Sequence, residues 1–220
     1  MDLIKEIERR IEARHLLTHP FYTKWQTGTL RRESLQEYAR QYYAFESSFP
    51  RFLSALHART PRADVRQALL ENLWDEEHGP TNHAELWLRF AEGIGVDRDS
   101  VQGATWNGGS EALVDTYGRI TTEAPVAAGV AALYAYERQV PAVAAAKMEG
   151  LRAHFGVDDE RALSFFELHS TLDVEHAETE RHIVADLGVG VEEEVRTATA
   201  AALEAWWGFL DAVDTDPAPA

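Results

Sequence analysis

The sequence predicts an all-α fold. Apolar residues recur at helical spacing along most of the chain, no segment alternates convincingly with period two, and glycine and proline breaks mark off roughly seven to nine helical stretches. At 220 residues the chain can bury a large core as one domain, read as residues 1–214 with a frayed Pro-Ala tail at 215–220.

The elements follow in order. Leu3, Ile4, Ile7 and Ile11 set an amphipathic helix through Ala13 that breaks at His19-Pro20. A short aromatic piece, Phe21 to Trp25, precedes a long segment from Arg32 to Leu56 that carries Tyr38, Tyr42 and Phe45; Pro50 should bend it or start a new helix. Val65, Leu69, Leu73, Trp74, Leu86, Trp87 and Phe90 run on either side of Gly79-Pro80 as far as Gly93 to Gly95. Residues 97–109 read as the longest loop, and Ser110 as the cap of the helix that follows. Pro125 opens an alanine-rich helix through Tyr136 and Glu137 to Lys147. Asp158 or Asp159 caps a long helix that passes His182 and stops at Gly188 and Gly190, and the last spans Glu192 to Val213. Trp206 and Trp207 in that last helix are candidates for a homodimer face.

Composition narrows the function. The net charge of −16, from 37 acidic and 21 basic residues, argues against nucleic acid and anionic membranes as partners and leaves small molecules. There is no run of eighteen apolar residues, and Met1 to Glu6 starts an amphipathic helix rather than a signal peptide, so the reading is cytoplasmic. Without cysteine, disulfides, thiolate metal sites and cysteine nucleophiles are all excluded. Lysine occurs only at positions 5, 24 and 147, which draws attention to Lys147 well inside the chain.

The chemistry is concentrated on His169-x3-Asp173-x2-His176. On a helix Asp173 lies about 40° to one side of His169 and His176 about 20° to the other, so two imidazoles and a carboxylate share a face, as a metal chelate requires. Glu76-x6-His83 offers a second pair about 20° apart over nearly two turns if its helix is continuous. Glu137 stands in the most apolar helix, where a bare carboxylate is costly and needs a cation or an ion-pair partner. Each of these features has a blander alternative: hydrogen-bonded core histidines, a solvated helix face, a buried Glu–Arg pair. Glu76 and Glu137 are both followed four residues later by proline, which in a helix removes the bond to the carbonyl of that glutamate and opens the backbone there. Three carboxylates and three imidazoles without sulfur suit iron or manganese, and a bridged pair of such ions suits O₂ activation. The paired Glu-x-x-His spacing of ferritin-like di-iron proteins is absent. Glu77, Glu178 and Glu180 read as charged helix faces, and His78 and His182 as solvent-facing.

At these positions the chain resembles the haem-oxygenase-like di-iron oxidases, most closely the CADD-type para-aminobenzoate synthases. The resemblance implies a seven-helix bundle with Glu76, His83, Glu137, His169, Asp173 and His176 holding two metal ions, iron alone or with manganese, that activate O₂ with a reductant. It further implies that Tyr22, in His19-Pro20-Phe21-Tyr22-x2-Trp25, is a sacrificed tyrosine whose ring and one carbon become the product, that Lys147 supplies the amino nitrogen, that Tyr136 is the tyrosine beside the ligand, and that Tyr38 is the fallback radical or donor site. Ten residues of unbroken helix would leave Lys147 about 15 Å from Glu137 along the axis, so the carry-over needs a kink at Pro141. The competing readings are a di-iron oxidase acting on an external amino acid or fatty acid, a metal-free relative on the same scaffold, and a binding module with no chemistry of its own.

Overall fold

The computed structural model describes residues 2–215. Asp2 caps α1 (Leu3–Ala13) by accepting from the Ile4 N–H, and Ile4, Ile7 and Ile11 face the core. His19 caps α2 (Pro20–Thr27), where Pro20 occupies the first turn, a position with no intrahelical N–H bond to lose. Then come α3 (Arg32–Glu46), α4 (Phe49–Arg59), α5 (Ala63–Glu77) and α6 (His83–Gly93). Within the stretch read as a loop lies a short helix, α7 (Arg98–Gln102), capped by Asp97. α8 (Gly108–Glu123) begins earlier than expected because Asn107, not Ser110, is its cap; Ser110 is the residue whose N–H the cap accepts. The remainder is α9 (Val126–Glu137), α10 (Val140–Gly150), one π turn at Leu151–Phe155, α11 (Glu160–Leu187, capped by Asp159) and α12 (Glu192–Val213).

The twelve α-helices among the described residues exceed the number read from the sequence, and proline is the reason. Pro50, Pro80 and Pro141 each divide a stretch that apolar periodicity runs together, giving the pairs α3/α4, α5/α6 and α9/α10. With each pair taken as one broken helix, and the short α2 and α7 set aside, seven long helices remain. At the middle break the chain turns through Gly79 at φ +82°, a left-handed conformation that glycine adopts without a Cβ clash. Asn82 then restarts the helix by accepting from the Glu85 N–H at 3.0 Å. Glu76 and Glu137 therefore sit in the final turns of α5 and α9 rather than in mid-helix.

From Ala127 to Glu137 every residue of α9 is buried, so this helix is the axis of the molecule. It packs against α8, α11 and α12, while α10 lies on α11 and α2, and α11 also on α6. The buried apolar side chains form one connected core. Among the described residues no helix is long and apolar enough to cross a membrane.

Of the two residues read as a dimer face, Trp206 is buried within the chain and cannot form one, and Trp207 is half-buried. Trp206 is only 1% exposed, donates to the Tyr117 hydroxyl at 3.1 Å and stacks on Tyr136 at 4.6 Å. Trp207 donates to the Arg14 carbonyl at 2.8 Å beneath the Arg14 guanidinium. Adjacent helical residues point about 100° apart, and here both directions meet the same chain. Thr215, the first residue of the stretch read as a tail, pairs its hydroxyl with that of Ser34 at 2.7 Å; the rest of that stretch, residues 216–220, lies outside the described residues. Trp206→Ala should lower unfolding free energy by about 3–5 kcal/mol in urea denaturation, with the elution volume of the folded protein unchanged.

Candidate metal centre

The broken helices and α11 converge on a buried cluster. Donor atoms of Glu76, His83 and His169 lie within 4.8 Å of one another, and those of Glu137, Asp173 and His176 do the same. α11 is continuous, so its His-x3-Asp-x2-His face forms as helical spacing requires. The other pair arrives differently. Instead of standing two turns apart on one helix, Glu76 and His83 flank the Gly79-Pro80 turn, which folds the chain back until His83 Nδ1 is 2.8 Å from Glu76 Oε2. Pro80 thus accompanies a full break, a stronger effect than the kink read from the sequence, whereas at Pro141 Arg138 and Gln139 keep right-handed helical backbone and the interruption is a kink.

Neighbouring groups fix which atoms face inward. His169 Nδ1 donates to the Phe165 carbonyl at 2.7 Å, leaving Nε2 bare. His176 presents Nε2 to Asp75 at 3.2 Å and keeps Nδ1 toward the cluster. Asn72, one turn before Glu76, donates to Glu137 Oε1 at 3.0 Å. What remains is unusual for a protein interior: Glu137 Oε2, Asp173 Oδ2 and His176 Nδ1 are buried without hydrogen-bond partners, and so is His83 Nδ1, whose close contact with Glu76 is not aligned as a hydrogen bond. Burial, with the charges of Asp173 and Glu137, raises the Glu76 carboxyl well above its usual range. Burial also lowers His83 and His169 to about 4, which keeps them neutral. At His176 burial works against the charge, but the Asp173 carboxylate 3.8 Å from Nδ1 and the charge of Glu137 prevail and raise it to about 9. The cluster draws positive charge to itself.

Beyond His169 lies the second constellation. Lys147 is 5% exposed and donates to the Tyr38 hydroxyl at 2.7 Å, which in turn lies 3.1 Å from the Tyr22 hydroxyl. Lys147 belongs to α10, beyond the interruption at Arg138 and Gln139, rather than to an unbroken α9. Its nitrogen sits 5.1–5.8 Å from the ring centres of Tyr22, Tyr38, Tyr42, Trp87 and Phe166, and burial lowers it to about 7. Tyr136 pairs its hydroxyl with that of Tyr42. Tyr22, Tyr136, Lys147, Phe165 and His169 line a cavity of about 10 Å³, room for roughly one water-sized molecule.

The sequence profile of the iron-containing redox enzymes matches residues 36–208. The chain belongs to this family. A 4-aminobenzoate synthase of Nitrosomonas europaea is 40% identical over 220 residues, covering 95% of this chain and 89% of its own. The 4-aminobenzoate synthase of Chlamydia muridarum is 38% identical over 211 residues, covering 96% and 89%. A solved domain from Shewanella denitrificans with a haem-oxygenase-like fold superposes with a TM-score of 0.80 at 16% identity, over 95% of this chain and 89% of that one. The expected haem-oxygenase-like fold is thereby met.

Iron, which the family name implies, fits these residues: each group of three donors combines carboxylate oxygen with imidazole nitrogen, and unpartnered lone pairs face the interior of both. Three features of this family member escaped the sequence reading. Glu180, taken for a surface charge, is 3% exposed, and Glu46, the last residue of α3, is 5% exposed. Each carries carboxylate oxygen with no partner. Glu180 could have been found, because seven residues separate it from Asp173, about 20° off the same helical face. Glu46 had no such signal; only the packing of α3 places it here. Conversely Trp74, one of the apolar residues at helical spacing before Gly79-Pro80, is 59% exposed and stacks on His78. His176→Ala or Asp173→Ala should lose most bound iron in anaerobic reconstitution, and Asp75→Ala, which only orients His176, should weaken iron binding about 10–100-fold, as read by metal analysis after desalting.

Proposed function

We propose that this protein is a self-sacrificing 4-aminobenzoate synthase. In this reading the ring and one carbon of Tyr22 become the product, Lys147 provides the nitrogen, and two metal ions, iron alone or iron with manganese, are held by Glu76, His83, Glu137, His169, Asp173 and His176. The observation that carries it is the Tyr38 hydroxyl, which touches both the Lys147 amine at 2.7 Å and the Tyr22 phenol at 3.1 Å. The two groups whose atoms would combine in one product are bridged through a single oxygen, and the adjoining cavity reaches the imidazole of His169. The relatives named 4-aminobenzoate synthase support the same product.

When bound, the ions would supply the redox chemistry that reduces O₂ with electrons from an external donor. The remaining work falls to this chain's own side chains. Trp25 holds the backbone of Lys147 through a 3.2 Å bond to its carbonyl. The aromatic walls exclude water and favour the neutral, nucleophilic amine. Burial raises the Tyr22 phenol, so it keeps its proton until it is oxidised, and the Tyr38 oxygen can pass that proton to or from the lysine. Oxidation of Tyr22 has a route through packed rings. Tyr38 lies 6.3 Å from Tyr22, Tyr42 lies 5.5 Å from Tyr38 and stacks on Trp87 at 4.0 Å, Phe165 lies 4.9 Å from Trp87, and His169 stacks on Phe165 at 4.1 Å.

The space of about 10 Å³ beside Tyr22 and Lys147 has no room for an external amino acid or fatty acid; in the alternative reading such a substrate would enter by the wider cavities of about 130 and 410 Å³ that reach His176 and Asp173. The product would serve folate synthesis, and this reading places the protein in the cytoplasm.

Intact-mass and peptide analysis after anaerobic iron loading, then reductant and O₂, should show 4-aminobenzoate released with loss of the Tyr22 side chain, and no release from Tyr22→Phe. Repeated turnover by Tyr22→Phe on an added amino acid or fatty acid would instead establish the external-substrate reading. Because the lysine is lowered from 10.5 to about 7, its neutral fraction rises as pH increases through 7. The initial rate of nitrogen incorporation in a single-turnover assay should therefore climb between about pH 6 and 8, then level off. Lys147→Arg, whose guanidinium stays charged throughout, should give no aminated product at any of these pH values.

A further inference from the structure

Glu180 lies one turn beyond His176 on α11. It is 3% exposed, and neither carboxylate oxygen has a hydrogen-bond partner. It is pressed against Glu137, whose own Oε2 is unpartnered. The Asn72 amide that might have served it is engaged by Glu137 Oε1. Arg181, next in sequence, turns outward to Glu8 and Glu178. Two carboxylates facing each other away from water must share either a proton or a cation.

We propose that Glu180 is a fourth carboxylate ligand of the metal pair, completing the group formed by Glu137, Asp173 and His176. This inference rests on the metal reading above and extends its ligand set. Charge favours it. Glu76, Glu137, Asp173 and Glu180 together balance the four positive charges of two divalent ions, whereas three carboxylates leave a net positive charge buried in the core. The two positions then differ in kind. One is built from a single carboxylate and two imidazoles, the other from three carboxylates and one imidazole, an oxygen-rich set suited to a harder ion such as Mn²⁺. A second cavity of about 130 Å³, lined in part by Asn72, Asp75, His176, Glu180 and Ile183, adjoins the oxygen-rich position. It gives water or an incoming ion a path that avoids the aromatic chamber.

The test is ion stoichiometry, read without turnover. The full chain is titrated anaerobically with Mn²⁺, with the free ion followed by electron paramagnetic resonance, and separately with Fe²⁺. Wild type should bind two ions. Glu180→Gln, of nearly the same shape, should keep one at wild-type affinity and bind the second at least about 10-fold more weakly. If Glu180 instead only shares a proton with Glu137, the glutamine amide can still donate to that carboxylate, and both ions will bind as in wild type; that result overturns the proposal and leaves the metal reading standing. A wild-type chain that binds neither ion overturns both. Should Glu180→Gln fail to fold, Glu180→Asp decides: a weakened second ion with unchanged helical circular dichroism supports the assignment, and two ions at wild-type affinity refute it.

Discussion

The constraint on which the structure depends is negative charge held in a core that offers it almost no counter-charge. Glu46, Glu76, Glu137, Asp173 and Glu180 are each 5% exposed or less, and several of their oxygens have no hydrogen-bond donor. Three of the five occupy the final turn of a helix: Glu46 ends α3, Glu137 ends α9, and Glu76 is next to last in α5. The C-terminal end of a helix carries a partial negative charge of roughly half a unit, so the backbone deepens the negative potential. Such an arrangement persists when protons, an imidazolium or metal ions supply the missing positive charge. The elevated carboxyl of Glu76 and the charged His176 are how the protein answers that demand without an ion.

Proline places the carboxylates there. A continuous α5/α6 or α9/α10 would leave Glu76 and Glu137 in mid-helix, their carbonyls committed to N–H groups four residues on. Pro80 and Pro141 have no N–H to give, so each helix ends close to the glutamate and another begins a few residues on. At the first break this returns His83 to Glu76; at the second it frees α10 to carry Lys147 to the tyrosines. Residue identity and rough position were therefore legible in the sequence, while the geometry around the breaks was not, since helical arithmetic holds only within a helix. The same arithmetic succeeded on α11, which is unbroken from Glu160 to Leu187.

The misread residues share a cause. Glu180 lies between Glu178 and Arg181, both of which do belong to the surface, and that polar company hid it although its helical angle matched Asp173. Trp206 and Trp207 looked like a sticky pair because exposure cannot be read from an aromatic doublet without knowing what surrounds the helix. Trp74 erred in the opposite direction, as a large apolar residue left outside. Glu46 illustrates a different limit: it closes a helix whose sequence gives no hint that its end points into the core. Pattern locates a side chain on its own element, whereas burial depends on which other elements arrive.

The lysine shows how the two halves of the site depend on each other. Burying an ammonium among aromatic rings is unfavourable, and the penalty, on the order of a few kcal/mol for a shift from 10.5 to about 7, applies in full below about pH 7 and fades as pH rises toward 10.5. Where the fold uses arginine on its surface, a guanidinium here could not shed its charge, and an apolar residue could not act as a nucleophile. Glu46 is the neighbour that favours the lysine's proton, but burial and the charges of Glu76 and Asp173 push its own carboxyl well up, toward the neutral form. Metal ions would neutralise that same region. Cations filling the acidic cluster would repel the ammonium directly and move the amine further toward its reactive neutral form. The charge that assembles one half of the site thus governs the readiness of the other.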